Sequence, residues 1–143
     1  HALKSDLKIE YIHKNISSLN LEKKYDVILL LEVLEHLDDW KNIMNVLNAN
    51  LNSQGKLIIS TINKNIFSKF FGIFVAENIL GFIPKKTHSY NKLIKPVELT
   101  NLLEKNNFSI LNLTGLVFKP LTFEWVLRKN NCKINYFCSA IKN

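Results

Sequence analysis

The chain has 143 residues, of which 47% are hydrophobic and 22% are charged. This composition is typical of one globular domain in water and excludes collagen-like, mucin-like and low-complexity proteins. The two cysteines, Cys132 and Cys138, cannot form a disulfide framework or a four-cysteine zinc site. They also lie too far apart along one extended run to bond to each other, so we expect reduced thiols.

The formal net charge is +7, from 19 basic and 12 acidic side chains. A nucleic-acid-binding protein would gather its basic residues on one face or helix. Here the lysines are spread along the chain and Arg128 is the only arginine, so we expect no nucleic-acid partner. The densest lysines bracket the most apolar stretch, which suits an anionic membrane surface, although general lysine richness explains them equally well. They are Lys64, Lys69, Lys85, Lys86, Lys92 and Lys95.

Two apolar runs in the first half of the chain predict central strands of a sheet. Residues 25–32 (YDVILLLE) and 56–62 (KLIISTI) are nearly continuous and rich in aliphatic residues. Such runs are typical of parallel strands that are buried on both faces. Residues 7–12 predict a further short strand, which follows a helix end at residues 1–5.

A helix is predicted between these two central strands. Asp38 and Asp39 suit its N-terminal end, where carboxylates interact favourably with the helix dipole. Residues 52–55 (NSQG) predict the turn that follows the helix. Its buried side is predicted by apolar residues at helical spacing, namely Trp40, Ile43, Met44, Leu47 and Leu51.

The second half predicts one helix and two strands. Pro96 suits the first position of the helix, and residues 106–107 end it. Residues 108–116 and 132–141 predict strands, and the polar residues 118–131 predict a loop between them. This alternation predicts an α/β sheet with helices on both faces, in which the last two strands form an antiparallel hairpin.

The segment 65–83 is unusually apolar, with eleven isoleucine, leucine, valine and phenylalanine residues between lysine-rich ends. It falls short of the about 20 uninterrupted apolar residues that span a bilayer. It is therefore predicted to be a lid helix over a hydrophobic substrate or a helix lying in the plane of a membrane, with an ordinary core helix as the alternative. His88 follows it and is a candidate second proton carrier.

Three polar side chains follow the first central strand, where ligands bind in open parallel sheets. Glu32, Glu35 and His36 could together hold a divalent ion such as magnesium. Equally, His36 could act as a general base, because its ordinary pKa lies near neutrality. On spacing alone, a structural role for these residues, as a cap, a solvated acid or a packed imidazole, remains the alternative.

The run YDVILLLEVLEHL at 25–37 resembles the fourth-strand motif of class I S-adenosylmethionine-dependent methyltransferases. Further segments resemble the ubiquinone-biosynthesis O-methyltransferase family, which methylates polyprenyl catechols, over essentially the whole chain. They are STINKN (60–65), AENILG (76–81), IPKKTH (83–88), IKPVEL (94–99), GL (115–116), PLT (120–122) and NY (135–136). The resemblance implies the C-terminal part of a Rossmann-like α/β sheet, mostly parallel with a final antiparallel strand, plus an inserted amphipathic helix.

The resemblance also implies the residues of the site. Leu31 is implied to contact the cofactor S-adenosylmethionine, with Ile16 and Ser17 near its adenine. Glu32, Glu35 and His36 match the family's magnesium-binding positions. The candidate bases are His36 and His88.

The sequence departs from the family pattern in ways that limit these expectations. The glycine-rich cofactor loop and the acidic residue that binds the ribose are absent; the two βα units that carry them would need at least ~60 residues upstream. Residues 1–143 are therefore expected to form one N-terminally truncated methyltransferase domain, inactive alone, with the insertion 65–95 as a lid or membrane-contacting segment. Lys86, Ser89 and residues 118–119 also differ from the family's usual residues.

The expected function is O-methylation of a polyprenyl catechol, in which a phenolate, assisted by magnesium, attacks the sulfonium methyl group. The expected partners are this substrate, an anionic membrane surface and other enzymes of ubiquinone biosynthesis. The expected location is cytoplasmic, peripheral on the inner face of the cell membrane. Two alternatives stay open: a methyltransferase for another lipid or phenol, and a non-catalytic membrane-peripheral binding module.

Overall fold

The computed structural model describes residues 3–21, 23–68 and 90–143. They form one five-stranded sheet, two α-helices and several 3-10 turns. The strands are β1 (Tyr25–Leu31), β2 (Leu51–Ile62), β3 (Phe108–Lys119), β4 (Glu124–Lys129) and β5 (Asn135–Lys142). The helices are α1 (Ile43–Asn50) and α2 (Pro96–Lys105), and 3-10 turns occupy Leu3–Ser5, Ile16–Ser18, Leu34–His36 and Tyr90–Lys92.

The sheet has the strand order β1-β2-β5-β3-β4. β1 and β2 are parallel, whereas β5 lies antiparallel between β2 and β3. β3 therefore runs in the same direction as β1 and β2, and these three strands end at one edge of the sheet, here called the C-terminal rim. The predicted α/β sheet with a final antiparallel strand is confirmed, as a mixed sheet in which β1 and β2 form the one parallel pair among the described strands.

The two faces of this sheet have different environments. Paired residues project from the same face, so the register places Leu30, Ile59 and Cys138 on one side, where they join the buried core with α1 and α2. We call this the covered face. The opposite face, the open face, carries Val27, Leu29 and Leu31, whose side chains are 49%, 56% and 50% exposed.

Both described helices pack on the covered face. α1 contributes Ile43, Met44 and Leu47 to the core, and α2 contributes Leu99 and Leu103. Pro96 starts α2 as predicted, since its missing N–H is not needed in the first helical turn. The predicted helix within 65–83 lies largely outside the described residues, so the prediction of helices on both faces stays a prediction.

The prediction of a strand at residues 7–12 was wrong. Leu7, Ile9 and Tyr11 alternate as in a strand, but their side chains are 55%, 50% and 80% exposed. No described strand pairs with this segment. Alternation alone does not make a strand, because its backbone groups need a neighbouring strand to bond.

The boundaries of the first helix were also wrong. α1 begins at Ile43 rather than at Asp38–Asp39, and Leu51 is the first residue of β2 rather than the last of the helical stripe. The predicted turn at residues 52–55 lies within β2 as an irregularity, because the pairing with β1 jumps from Leu51 to Lys56. Gln54 takes a positive φ of 61° there, which accommodates the extra residues.

The predicted loop at residues 118–131 contains a strand instead. β3 continues to Lys119 and forms a hairpin with β4, while β5 pairs with the other side of β3. The last two predicted strands are therefore antiparallel neighbours, as expected, but not a hairpin. Gly115 permits this arrangement, because a Cβ there would lie 1.8 Å from the carbonyl oxygen of Asn131.

Candidate functional site

Glu32 is the first residue after β1 and is bound to the end of β2. Its N–H donates to the carbonyl oxygen of Ser60 at 3.0 Å, and the Ser60 hydroxyl donates to Glu32 Oε1 at 2.8 Å. The backbone of Glu32 is left-handed, with a φ of 54°. That conformation costs a non-glycine residue roughly 1–2 kcal/mol, and such residues cluster at functional sites.

Glu35 lies in the 3-10 turn that follows and is only 3% exposed. Its Oε2 accepts a hydrogen bond of 2.8 Å from the hydroxyl of Thr61. Its Oε1 is buried and has no hydrogen-bond partner. An unpartnered buried carboxylate oxygen is costly, so Glu35 offers an acceptor at the C-terminal rim that a ligand, a proton or a cation could use.

The two carboxyl groups form what we call the carboxylate pair. The pKa of Glu32 is raised to about 7: burial is the largest cause, the hydrogen bond from Ser60 opposes it, and the nearby charge of Glu35 adds to the rise. Two carboxylates in one partly buried site resist ionising together. Glu32 can therefore hold or accept a proton near neutral pH.

The third predicted metal ligand, His36, follows in the same turn but is exposed to solvent. Its backbone N–H donates to the carbonyl oxygen of Val33 at 3.0 Å. Among residues 3–21, 23–68 and 90–143, no three histidine, cysteine or acidic side chains gather as a metal-binding group. The free Oε1 of Glu35 and the carboxylate of Glu32 fit a hard cation such as magnesium, whereas the described part of the chain does not assemble the predicted three-ligand set.

The residues predicted to contact the cofactor lie in two places. Leu31 ends β1 on the open face, next to Glu32. Ile16 and Ser17 lie in a 3-10 turn that is capped by the side chain of Asn15, which accepts from the Ser17 N–H at 2.9 Å. This turn contacts α1, and Ile16 packs against the core. Their role in cofactor binding stays a prediction.

His88 and most of the insertion lie outside the described residues, but contacts at both ends of the insertion are described. At one end, Lys64 donates from Nζ to the carbonyl oxygen of Asn91 at 3.1 Å, which links the residue before the insertion to its last described part. At the other, Lys92 forms a 2.7 Å ion pair with Asp38, which lowers the pKa of Asp38. The two ends of the insertion thus lie near each other at the end of β2, where the N–H of Ile94 also donates to the carbonyl oxygen of Ile62 at 3.3 Å.

Sequence reasoning assigned no role to the hydroxyl residues that hold the carboxylate pair. Ser60 and Thr61 are both buried at the end of β2, and each donates to one of the two glutamates. Consecutive hydroxyl residues at the C-terminal end of an otherwise aliphatic strand were the available signal. Tyr136 was also missed as a structural residue: its buried hydroxyl donates to the carbonyl oxygen of Ile94 at 3.1 Å, next to the end of the insertion.

Comparisons with known proteins agree on one family. Residues 5–113 match the model of a methyltransferase domain. The chain is 38% identical over 143 residues to the ubiquinone biosynthesis O-methyltransferase of Rickettsia bellii, covering 100% of this chain and 60% of that protein. It is 43% identical over 137 residues to the enzyme of the same name from Rickettsia typhi, covering 96% of this chain and 55% of that protein. The chain thus spans 55–60% of the length of these relatives.

Solved structures show the same fold at low sequence identity. A SAM-dependent methyltransferase from Thermotoga maritima, described as a possible histamine N-methyltransferase, matches with a TM-score of 0.70 at 15% identity, covering 91% of this chain and 62% of that one. Magnesium protoporphyrin IX methyltransferase from Synechocystis, with bound SAH, matches with a TM-score of 0.56 at 21% identity, covering 91% and 49%. Separately, none of the helices that the structure describes has the length and apolar character to cross a membrane.

Proposed function

Since the chain belongs to the methyltransferase-domain family, we propose that it is part of an enzyme that transfers the methyl group of S-adenosylmethionine to a hydroxyl of a polyprenyl catechol in ubiquinone biosynthesis. The relatives named for that activity support the substrate class, and they match along the whole chain. The observation that carries the proposal is the carboxylate pair at the C-terminal rim, where parallel sheets bind their ligands.

The carboxylate pair accounts for activation of the substrate. A catechol hydroxyl that donates to Glu32 becomes more phenolate-like, and its oxygen attacks the sulfonium methyl carbon in line. S-adenosylmethionine would supply the methyl group and leave as S-adenosylhomocysteine, and the phenol proton would pass to Glu32. Because the pKa of Glu32 is about 7 when no cation is bound, its carboxylate can take up this proton near neutrality. His36 and His88 are the alternative bases.

Magnesium is part of the proposal, and Glu32 and Glu35 would hold it. When bound, it supplies Lewis-acid polarisation of the catechol oxygens. Glu35 suits this role because its buried Oε1 has no other partner. Ser60 and Thr61 position the two carboxylates whether or not a cation is present.

We propose that the insertion 65–95 covers the polyprenyl tail and contacts an anionic membrane, and that the enzyme is cytoplasmic and peripheral on the inner face of the cell membrane. Support comes from the apolar segment, its flanking lysines, and the contact between its two ends, which meet at the end of β2. Other enzymes of ubiquinone biosynthesis would be its partners there. S-adenosylmethionine would contact Leu31, Ile16 and Ser17.

The test uses this chain and a longer version. The longer version adds upstream residues up to the length of the curated relatives, so that it includes the expected cofactor loop. Methyl transfer from labelled S-adenosylmethionine is measured on polyprenyl catechols and on soluble catechols. We expect the longer version to prefer the polyprenyl substrate and this chain alone to be inactive. Equal turnover of both catechols would indicate a different phenolic substrate, and no cofactor binding by either version in calorimetry would indicate a non-catalytic module.

Replacement of both glutamates tests the site itself. In the longer version, the double variant Glu32→Ala/Glu35→Ala is expected to lose about 100-fold or more in kcat, as loss of a general base or metal ligand does. The matched control is Glu98→Ala, which removes an exposed carboxylate from the first turn of α2. Activity that survives in the double variant would refute the assignment of these residues.

A further inference from the structure

The hairpin between β3 and β4 ends in exposed apolar side chains. We call residues 118–125 the hairpin tip. Because β3 ends at the C-terminal rim, the tip projects from the same edge of the sheet as the carboxylate pair. Leu121, Phe123 and Trp125 are 97%, 75% and 58% exposed, so the tip presents large apolar surface that the core does not use.

Aromatic contacts fix the arrangement of this apolar surface. The rings of Phe118 and Phe123 meet edge to face, with centroids 5.9 Å apart, and Phe118 lies 5.1 Å from Trp125. Such aromatic contacts are favourable beyond the area that they bury. They hold Phe123 and Trp125 beside each other at the tip while leaving most of both side chains in water.

The backbone conformation at Phe123 is unfavourable for a bulky residue. Its φ is 53°, in the left-handed region that a bulky residue rarely adopts and that glycine adopts freely. The contact with Phe118 buries only part of the ring, and 75% of the side chain is left exposed. Most of this apolar ring is therefore available to a partner outside the described chain.

Charge around the tip favours an anionic contact. Glu124 is the only acidic residue between positions 118 and 133, whereas the basic residues there are Lys119, Arg128, Lys129 and Lys133. Lys133 lies with its Nζ 5.9 Å from the ring centroid of Phe67, which is 52% exposed. Basic residues thus outnumber acidic ones four to one over residues 118–133, with Lys119 in the tip itself and Arg128 and Lys129 further along β4.

We infer that the hairpin tip is a membrane anchor, which inserts Leu121, Phe123 and Trp125 into the interfacial layer of a bilayer that contains anionic lipid. Tryptophan favours that layer, and basic residues flanking an apolar patch bind anionic headgroups. This anchor is distinct from the insertion 65–95. The inference rests on the proposed polyprenyl substrate, which resides in a bilayer, and it places the rim against the lipid from which that substrate comes.

Tryptophan fluorescence tests the anchor directly. The chain has two tryptophans, and Trp40 packs against the core, so Trp40→Phe leaves Trp125 as the reporter. Vesicles of phosphatidylcholine, with or without phosphatidylglycerol, are added to this chain and to the longer version. We expect Trp125 emission to move to shorter wavelength and to be quenched by brominated acyl chains, more strongly with phosphatidylglycerol. Unchanged emission in both versions would overturn the inference.

A glycine substitution separates membrane binding from folding. Phe123→Gly relieves the left-handed strain and removes an anchoring side chain, so we expect its Tm to rise or stay level while vesicle affinity falls about tenfold. Leu111→Ser is the matched control: it removes an apolar side chain that is 54% exposed at the other end of β3, and its vesicle affinity should not change.

Three further outcomes would count against the anchor. Equal loss of affinity in Leu111→Ser and Phe123→Gly would show that binding is general hydrophobic adhesion. A sedimentation experiment without lipid that finds dimers, lost in Phe123→Gly, would assign the tip to a second copy of this chain. If Trp125 is already shielded from water in the longer version without lipid, the hairpin tip packs against the rest of the protein instead. The vesicle assays contain neither cofactor nor substrate, so their failure leaves the proposed reaction untouched.

Discussion

The two faces of the sheet carry similar aliphatic residues but differ in burial, since helices cover one face and the other is largely exposed. On the covered face, Leu30 and Ile59 are 4% and 0% exposed beneath α1 and α2. On the open face, Leu29 is 56% exposed, and a depression of about 210 Å³ lies between β3, β4 and β5. In the described structure, β1 thus stabilises the fold mainly through its covered face. How much each aliphatic side chain adds to the free energy of unfolding depends on whether another element buries it, rather than on residue type.

The sharpest test of this difference uses adjacent residues of β1. Leu30→Ala removes a buried side chain and leaves a cavity, so it should lower the free energy of unfolding by about 2–4 kcal/mol. Leu29→Ala removes the same atoms from the open face and should cost less than about 1 kcal/mol. Chemical denaturation of both variants measures the contrast, and similar losses would mean that the open face is covered in solution.

The carboxylate pair joins the two faces, since Glu32 is bonded to Ser60 on the open side and Glu35 to Thr61 on the covered side. Because the pKa of Glu32 rises from an ordinary 4.5 to about 7 on folding, the folded state binds more protons between these values. Stability should therefore fall as pH rises from 4.5 to 7.

Glu32→Gln tests that pH dependence. The variant keeps an acceptor for Ser60 but cannot ionise, so relative to the wild type it should gain about 2 kcal/mol of stability between pH 4.5 and pH 8, allowing for partial solvent screening. Denaturation at several pH values measures the gain. A constant difference between the two proteins across this range would contradict the raised pKa.

A smaller effect is expected from the buried hydroxyl of Tyr136 on the covered face. Burial raises the pKa of Tyr136 far above its ordinary value, so the group stays a neutral donor to the carbonyl oxygen of Ile94. Tyr136→Phe should cost about 1 kcal/mol, because the carbonyl loses its partner. Thermal denaturation measures this, with Phe137→Leu on the open face as the control; a Tyr136→Phe variant of wild-type stability would show that water replaces the bond.

Much of the sheet could be predicted from local pattern. The runs at 25–32 and 56–62 correspond to β1 and most of β2, because nearly continuous aliphatic runs bounded by polar residues have few other ways to be buried. β4 could not be predicted, since its residues are mostly exposed and its pairing partner, β3, supplies the hydrogen bonds. The prediction of a strand at residues 7–12 was wrong for the converse reason. The alternating pattern is present there, but no described strand lies beside it to form hydrogen bonds.

The sequence pointed to candidate site residues, whose role stays a prediction, but not to their geometry. Glu32 and Glu35 could be found because they directly follow a strand whose end faces the ligand side of the sheet. The sequence could not show that His36 is exposed while Glu35 is buried, because both lie in one short turn of three residues. Their directions depend on Ser60 and Thr61, which are distant in sequence.

The amino-acid sequence by itself determined the secondary-structure type of the central strands and of α2, as well as the polar residues at the rim, since hydrophobic runs and proline act locally. Only the tertiary structure decided which face of each strand is buried, where β4 pairs, and that the aromatic residues of the hairpin tip point away from the core. The physical reason is that burial and strand pairing are relations between distant segments, whereas propensity belongs to each residue and its neighbours.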